Sequence, residues 1–430
     1  MTSTARSPGS FAKEGCAVVK IVIYQPHRAI WFKNPVRLLL QGKSLPNKYG
    51  PLFKYLVFAE DIKLSLSTSL IAGPGWKGVF DAAFDVVHLL AWCVLNKVDL
   101  RRVKLVRSRK QLRRNDLLLL MHYGNLTHEQ ISFSATETKI SRMLGEEKIF
   151  KLVHMSHYMY RPGMGLQNLS DARPDLLVAE NDLSKNSPFY RAFFDRLAVP
   201  FYTLPYAPAP RFKRTRRFGE RTNKLVATGS ITYKLRDPEF TGFFQSDELQ
   251  PMRRILYDRS AYYSDQIDCL ISDLNATRQE ESGLTSISRK LKKLLTRLMG
   301  NDSQSAYYKK DIVNIYNSYA MFAVPEEICD LPGIGFVEGM ACGAAYFGLD
   351  DPMYRDLGML PGVHYVAYDG SPEDLVARIK AYQDDPVGLE QIANRGHDFV
   401  VRELSVSEVY GRLLNHIRLH LAKQPPTQAA

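Results

Sequence analysis

Cysteine is scarce: five residues in 430, at Cys16, Cys93, Cys269, Cys329 and Cys342, with no Cys-x-x-Cys pair. An odd and widely spaced set argues against both a disulfide framework and a zinc site. Cys342, within a small-residue helix, reads as a small hydrophobe. Long apolar runs are also missing. The longest, at 86–95, contains His88 and is about half a membrane span. No spanning helix is therefore expected. The first ten residues are small and polar, and the apolar stretch at 17–24 is too short for a cleaved signal. The expected location is cytoplasmic. Internal repeats and low-complexity segments are absent, and so is any Asp-x-Asp. Acids are the minority charge, 45 against 57 Lys and Arg, for a net charge of +12.

That excess is uneven. Residues 101–114 hold eight cations in fourteen positions, and 211–217 hold five in seven. Residues 286–297 read as a basic amphipathic helix, with Ile287, Leu291, Leu294 and Leu295 on one side. Three such runs favour an anionic partner over three solvated faces. An apolar side on a basic helix favours a membrane surface, and no recognition motif supports nucleic acid.

What is present is an alternation. Short apolar strands are expected at 18–24, 116–121, 149–154, 175–179 and 200–204, with helical patterns between several of them, as at 136–144 and 188–197. A proline-rich run at 207–217 reads as a linker. The pattern then restarts, with strands at 224–228, 319–324, 344–348 and 363–368. A helix at 371–382 has Ser371 as its N-cap, and an amphipathic helix at 406–421 ends the pattern. The segment 277–306 breaks the alternation, and the tail 423–430 is expected to be disordered. Buried strands alternating with helices imply parallel sheets. The expected fold class is α/β, with two doubly wound Rossmann-like domains facing a central cleft. The expected boundaries are 1–208, 209–400, and a terminal helix at 401–430 that could cross back to the first domain.

One stretch carries chemistry. Asp330-Leu-Pro-Gly-Ile-Gly-Phe-Val-Glu338-Gly-Met-Ala-Cys-Gly343 places an acid before a glycine-rich turn and a second acid eight positions later, at the head of a small-residue helix. Gly333 and Gly335 let backbone approach a ligand, and the amides of Gly333, Ile334, Gly335 and Phe336 then face a phosphate. The flanking carboxylates suit sugar and ribose hydroxyls, which together describe a nucleotide-sugar.

The segment 310–417 resembles the retaining glycosyltransferases of the two-Rossmann-domain (GT-B) type, in the large family-4-like "group 1" clan. Their mark is Glu, seven residues, Glu, then Ala-Met-Ala-x-Gly; here it reads Asp330, seven residues, Glu338-Gly-Met-Ala-Cys-Gly343. Leu360-Pro-Gly-Val-His-Tyr-Val is similar to the clan's following turn and strand. Lys151-Leu-Val-His-Met-Ser-His157 is similar to the strand and histidine turn preceding its sugar site. The resemblance implies transfer of a sugar from a nucleoside diphosphate to an acceptor hydroxyl, with retention of configuration. It implies no cofactor and no metal, since the other main glycosyltransferase architecture holds its cation through Asp-x-Asp. A glycan or glycolipid acceptor at the cytoplasmic membrane face accords with the charge.

Roles follow by position. Asp330 and His157 would meet the transferred sugar, with His122, on another strand-end loop, as a second candidate. Glu338 would accept from ribose hydroxyls. Gly229 opens the first turn of the second domain. The clan has Gly-Arg and a nearby lysine there to clamp the diphosphate, but this chain has Ser230 in the arginine position. Lys234 or Arg236 would then clamp, or Arg253 and Arg254 would substitute. Two other readings keep the fold: a nucleotide-sugar epimerase or hydrolase, and a catalytically silent sugar- or polyanion-binding subunit.

Overall fold

The computed structural model describes residues 18–24, 36, 39–40, 50–68, 76–113, 116–120, 141–231, 234–273 and 310–423. His122, the segment 277–306, within which a basic helix is expected, and 424–430 lie outside them.

Two parallel sheets organise the chain. The first has seven strands in the order β3-β2-β1-β4-β5-β6-β7: β1 Val19–Ile23, β2 Ile62–Ser67, β3 Val103–Val106, β4 Leu117–Leu120, β5 Phe150–His154, β6 Leu176–Ala179 and β7 Phe201–Thr203. The second has five, in the order β10-β8-β12-β13-β14: β8 Thr222–Ala227, β10 Ile267–Cys269, β12 Tyr319–Ala323, β13 Ala345–Leu349 and β14 Val366–Tyr368. A parallel pair of two-residue strands, β9 Ser230–Ile231 and β11 Ser272–Asp273, extends the mouth of the second sheet. Every strand pairing in both sheets is parallel. Parallel strands require crossover helices on both faces, so the apolar runs legible in the sequence become the buried middle layer of each domain.

The nine strands expected from apolar runs all form, within about three residues of their expected ends, the largest difference being the start of β14 at Val366 instead of 363. β2, β3 and β10 are additional, as is the short pair β9 and β11. In β2 the sequence IKLSLS puts Ser65 and Ser67 at buried positions, which breaks the apolar run that marks a central strand. β3 lies inside the basic run 101–114, between Arg102 and Arg107. That run is therefore a turn, an edge strand and a short helix, Arg109–Leu112. Part of its charge is neutralised: Arg109 pairs with Glu146 and Glu147, and Arg113 with Glu147.

Residues 207–217 pass between the domains without being loose. Ala207 and Phe212 are buried in the core. Asn317 grips the segment, with Oδ1 accepting from the Thr215 amide at 2.7 Å and Nδ2 donating to the Lys213 carbonyl at 3.1 Å. The last helix, Val406–Lys423, returns to the first domain. It packs beside helix Gly50–Phe58, with Tyr410 against Tyr55 and Arg418 paired to Asp61.

Candidate functional site

In an open parallel sheet, ligands settle where the strand order reverses, at the carboxyl ends of the strands. In the second sheet that point lies between β8 and β12, which are neighbours in register with Ala227 beside Ala323. The chain leaves β8 through Gly229-Ser230 and leaves β12 through Val324-Pro325, running on to the glycine-rich turn. Gly229 has φ +131°, and a Cβ there would stand 3.1 Å from Arg253 Nε; only glycine fits without strain. Gly335 fits for a different reason: a Cβ would meet Val324 Cγ2 at 2.7 Å and the Tyr316 hydroxyl at 2.8 Å. Tyr316 is buried beneath the turn and bonds Thr228 Oγ1 at 2.9 Å, so it supports the site from below.

Arg253 joins the two strand exits. It is buried on helix Pro251–Asp258; its Nε donates to the Pro325 carbonyl at 2.6 Å and its Nη1 to the Ser230 carbonyl at 2.9 Å. Its Nη2 faces Gly333, 3.5 Å from where a Cβ would lie. Among the described residues, the amides of Gly333, Ile334 and Gly335 donate to no protein acceptor. The switch point thus carries a fixed guanidinium and three free N–H groups. Such convergent donors form an anion-binding concavity.

The other expected cations stand elsewhere. Lys234 is half-exposed and held by Asp247 and Glu248, at 3.4 and 3.2 Å. Arg236 is exposed. Arg254 turns to Asp273 at 2.8 Å, with Glu248 and Asp258 nearby. Phe336 is a correction: its ring is fully buried against Tyr346 and Tyr354, and its amide is committed to the Gly333 carbonyl at 3.1 Å. The helix begins at Gly335.

The two acids differ in surroundings. Glu338 lies in the first turn of helix Gly335–Ala341, half-buried and without a hydrogen-bond partner among the described residues. Burial pushes its carboxyl up to about 8, with the charge of Arg211 opposing. Asp330 sits in the left-handed region, at φ 59°. Burial raises it to about 6; a hydrogen bond from Ser187 and the charge of Arg191 oppose this, and Asp351 adds to it.

Asp330 is also where the domains meet. Asn181 Nδ2 donates to its carbonyl at 3.0 Å. The Tyr158 hydroxyl donates to the Cys329 carbonyl at 2.9 Å and lies 2.8 Å from Ser187 Oγ. Tyr158 follows His157, which is itself left-handed at φ 61°. The histidine turn at the end of β5 and the acid turn after β12 therefore touch through their adjacent residues. His157 and Asp330 are two of the seven described non-glycine residues with positive φ, and their chain neighbours Tyr158 and Cys329 are bonded across the domain boundary; backbone strain of this kind is often held at functional sites. Apolar packing reinforces the junction: Phe189 of the first domain stacks on Phe244 of the second at 5.1 Å. Lys185 Nζ and Asn186 Nδ2 both reach Asp356, at 2.9 and 2.8 Å.

Sequence reading missed Tyr158, Asn181 and Ser187 as junction residues, since each is an ordinary strand-end or cap residue until the second domain arrives. It also missed Glu326. That carboxylate is buried just after β12 and accepts from the Tyr346 hydroxyl at 2.7 Å and from Tyr354, with burial raising its pKa. Its only sequence signal was an acid after an apolar strand. Among the described residues, no group of three or more His, Cys, Asp or Glu is placed to hold a metal ion, and no helix is long and apolar enough to cross a membrane.

No family model matches the chain, and no curated protein matches its sequence. Solved structures do resemble it. Anabaena Alr3699/HepE, in complex with UDP, is similar over 93% of this chain and 99% of its own, with a TM-score of 0.51 at 12% identity. Sucrose-phosphate synthase (tll1590) from Thermosynechococcus elongatus is similar over 94% of this chain and 100% of its own, with a TM-score of 0.50 at 11% identity. Both matches run essentially end to end and take in both sheets, so the chain has the GT-B fold of two Rossmann-like domains.

Proposed function

We propose that this protein is a metal-independent glycosyltransferase that moves a sugar from a nucleoside diphosphate to an acceptor hydroxyl. The observation carrying this reading is the switch point itself: Arg253 locked between two strand exits, with its third nitrogen beside Gly333, in a turn whose amides at 333–335 donate to no protein acceptor among the described residues. Cleaving the bond between an anomeric carbon and the diphosphate oxygen asks chiefly for stabilised charge on the departing diphosphate. Arg253 and the turn 333–335 supply it. Glu338, one helical turn on, accepts from the ribose hydroxyls. Asp330 and His157 hold the sugar at the junction, where Asp330 offsets positive charge on the ring. HepE, a protein of similar fold, is described in complex with UDP, which supports a nucleotide ligand for this chain. Retention of configuration and a glycolipid or polysaccharide acceptor at the membrane belong to the same proposal.

The test is release of nucleoside diphosphate from UDP-, GDP-, dTDP- and ADP-sugars in the presence of candidate acceptors. Glu338→Ala and Asp330→Ala should each lose at least 100-fold in turnover, in the range of losing a transition-state contact, while remaining folded. Unchanged turnover in both variants would remove the assignment. Acceptor-independent turnover would point to an epimerase or hydrolase. A chain that binds no nucleoside diphosphate would be the silent relative, a reading that Ser230 and the occupied Lys234 favour.

A further inference from the structure

The helix Trp76–Asn96 connects β2 to β3 and packs one side on the sheet, through Leu89, Trp92 and Cys93. Its other side is unusual. Helical spacing aligns Trp76, Val79, Ala83, Val87, Leu90 and Val94, and all six are exposed, Trp76 at 91% and Val94 at 64%. A solvent-facing helix surface is normally polar, and an apolar stripe of this length marks an interaction surface. At 1.5 Å per residue, the 21-residue helix is about 30 Å long.

Its charged surroundings choose the partner. Just past its carboxyl end come exposed Lys97, exposed Leu100 and exposed Arg101, then exposed Lys104 on the edge strand β3. Asp99 is the acid among them, and it is engaged by Arg101 at 3.2 Å. An apolar face ending in cations, with a tryptophan at its opposite end, complements an anionic bilayer, where aromatic rings seat at headgroup depth and cations meet lipid charge. We infer that the Trp76–Asn96 face lies in the plane of an anionic membrane surface. The inference rests on the membrane-facing half of the proposed function and not on its donor chemistry. Because the helix runs back from the carboxyl end of β2, Trp76 stands at the same rim of the sheet as the His157 turn. β2 and β5 are three strand spacings apart in the sheet, about 14 Å. The docked face would thus hold the acceptor side of the cleft against the lipid.

The experiment is sedimentation of the full chain with phosphatidylcholine vesicles, with and without phosphatidylglycerol, at two salt concentrations. Binding is expected to need the anionic lipid and to weaken with salt. Val87→Glu combined with Leu90→Glu should abolish it, and Arg101→Glu with Lys104→Glu should weaken it roughly tenfold or more. Since Trp76 is almost fully exposed, Trp76→Glu gives the same reading if the double variant does not fold. Equal partition of wild type and variants would overturn the inference. So would a wild-type dimer that Leu90→Glu converts to monomer, which would assign the face to a second copy. Nucleoside diphosphate binding in the same variants should not change, so loss of vesicle binding and failure of the donor reading are separable results.

Discussion

Arg253→Lys tests the donor site most directly. The guanidinium makes two fixed hydrogen bonds, at 2.6 Å to Pro325 and 2.9 Å to Ser230, and its third nitrogen faces Gly333. Lysine keeps the charge but can satisfy only one of these directions at a time. Leaving one buried carbonyl unpaired costs about 1–3 kcal/mol of stability. A free-floating ammonium in place of a pre-aimed N–H costs about 2–3 kcal/mol of diphosphate stabilisation, roughly 30- to 160-fold in kcat/KM. The assay is nucleotide release with the nucleotide-sugar that the donor screen selects, together with calorimetry against the matching nucleoside diphosphate and a thermal melt to separate folding from function. Lys234→Ala and Arg236→Ala are the controls. Lys234 sits in exposed ion pairs with Asp247 and Glu248, which contribute little, so both variants should stay within about threefold. If Arg253→Lys binds the diphosphate as tightly as wild type while Lys234→Ala loses tenfold or more, the clamp has been placed on the wrong cation.

Other outcomes follow from the same geometry. Glu338 is raised from 4.5 to about 8, so the native state holds a proton that the unfolded chain has released. Its contribution therefore turns unfavourable as pH rises from about 4.5 to 8. Glu338→Gln should raise the thermal midpoint at pH 8.5 and leave it unchanged at pH 4, and equal shifts at both values would refute the burial reading. Nucleoside diphosphate affinity in wild type should increase between pH 6.5 and 8.5 as Glu338 ionises, and a flat profile by calorimetry would deny it the ribose role. Tyr158→Phe removes the hydroxyl that bridges Cys329 and Ser187, leaving a buried carbonyl unsatisfied; chemical denaturation should show a loss of about 1–3 kcal/mol. Gly335→Ala should cost a similar amount by overpacking against Val324 and Tyr316, read by the same denaturation.

The apolar runs at 149–154 and 319–324 were legible as strands because a strand buried on both faces must be apolar along its whole length. β2 escaped because its serines look outward-facing until neighbouring strands cover them, and β3 because four residues of strand were hidden among arginines. The glycine turn was legible as well. Asp330, Gly333, Gly335 and Glu338 lie within nine consecutive positions, so local chain geometry alone brings them together. The clamp was not legible in this way. Lys234 stands nearer in sequence to Gly229 than Arg253 does, yet the bridge between Lys234 and Glu248 turns it toward acids. A helix packed across both strand exits delivers Arg253 instead.

Sequence by itself determined the layers, the two sheets and the glycine-rich turn after β12, because each follows from periodicity, glycine and the reach of a few adjacent residues. Only the tertiary structure decided which cation stands beside that turn, and that Tyr158, Asn181 and Ser187 clasp the Asp330 loop from the other domain. Those contacts join residues about 150 to 170 positions apart, and no local pattern encodes a partner that arrives only when two sheets dock.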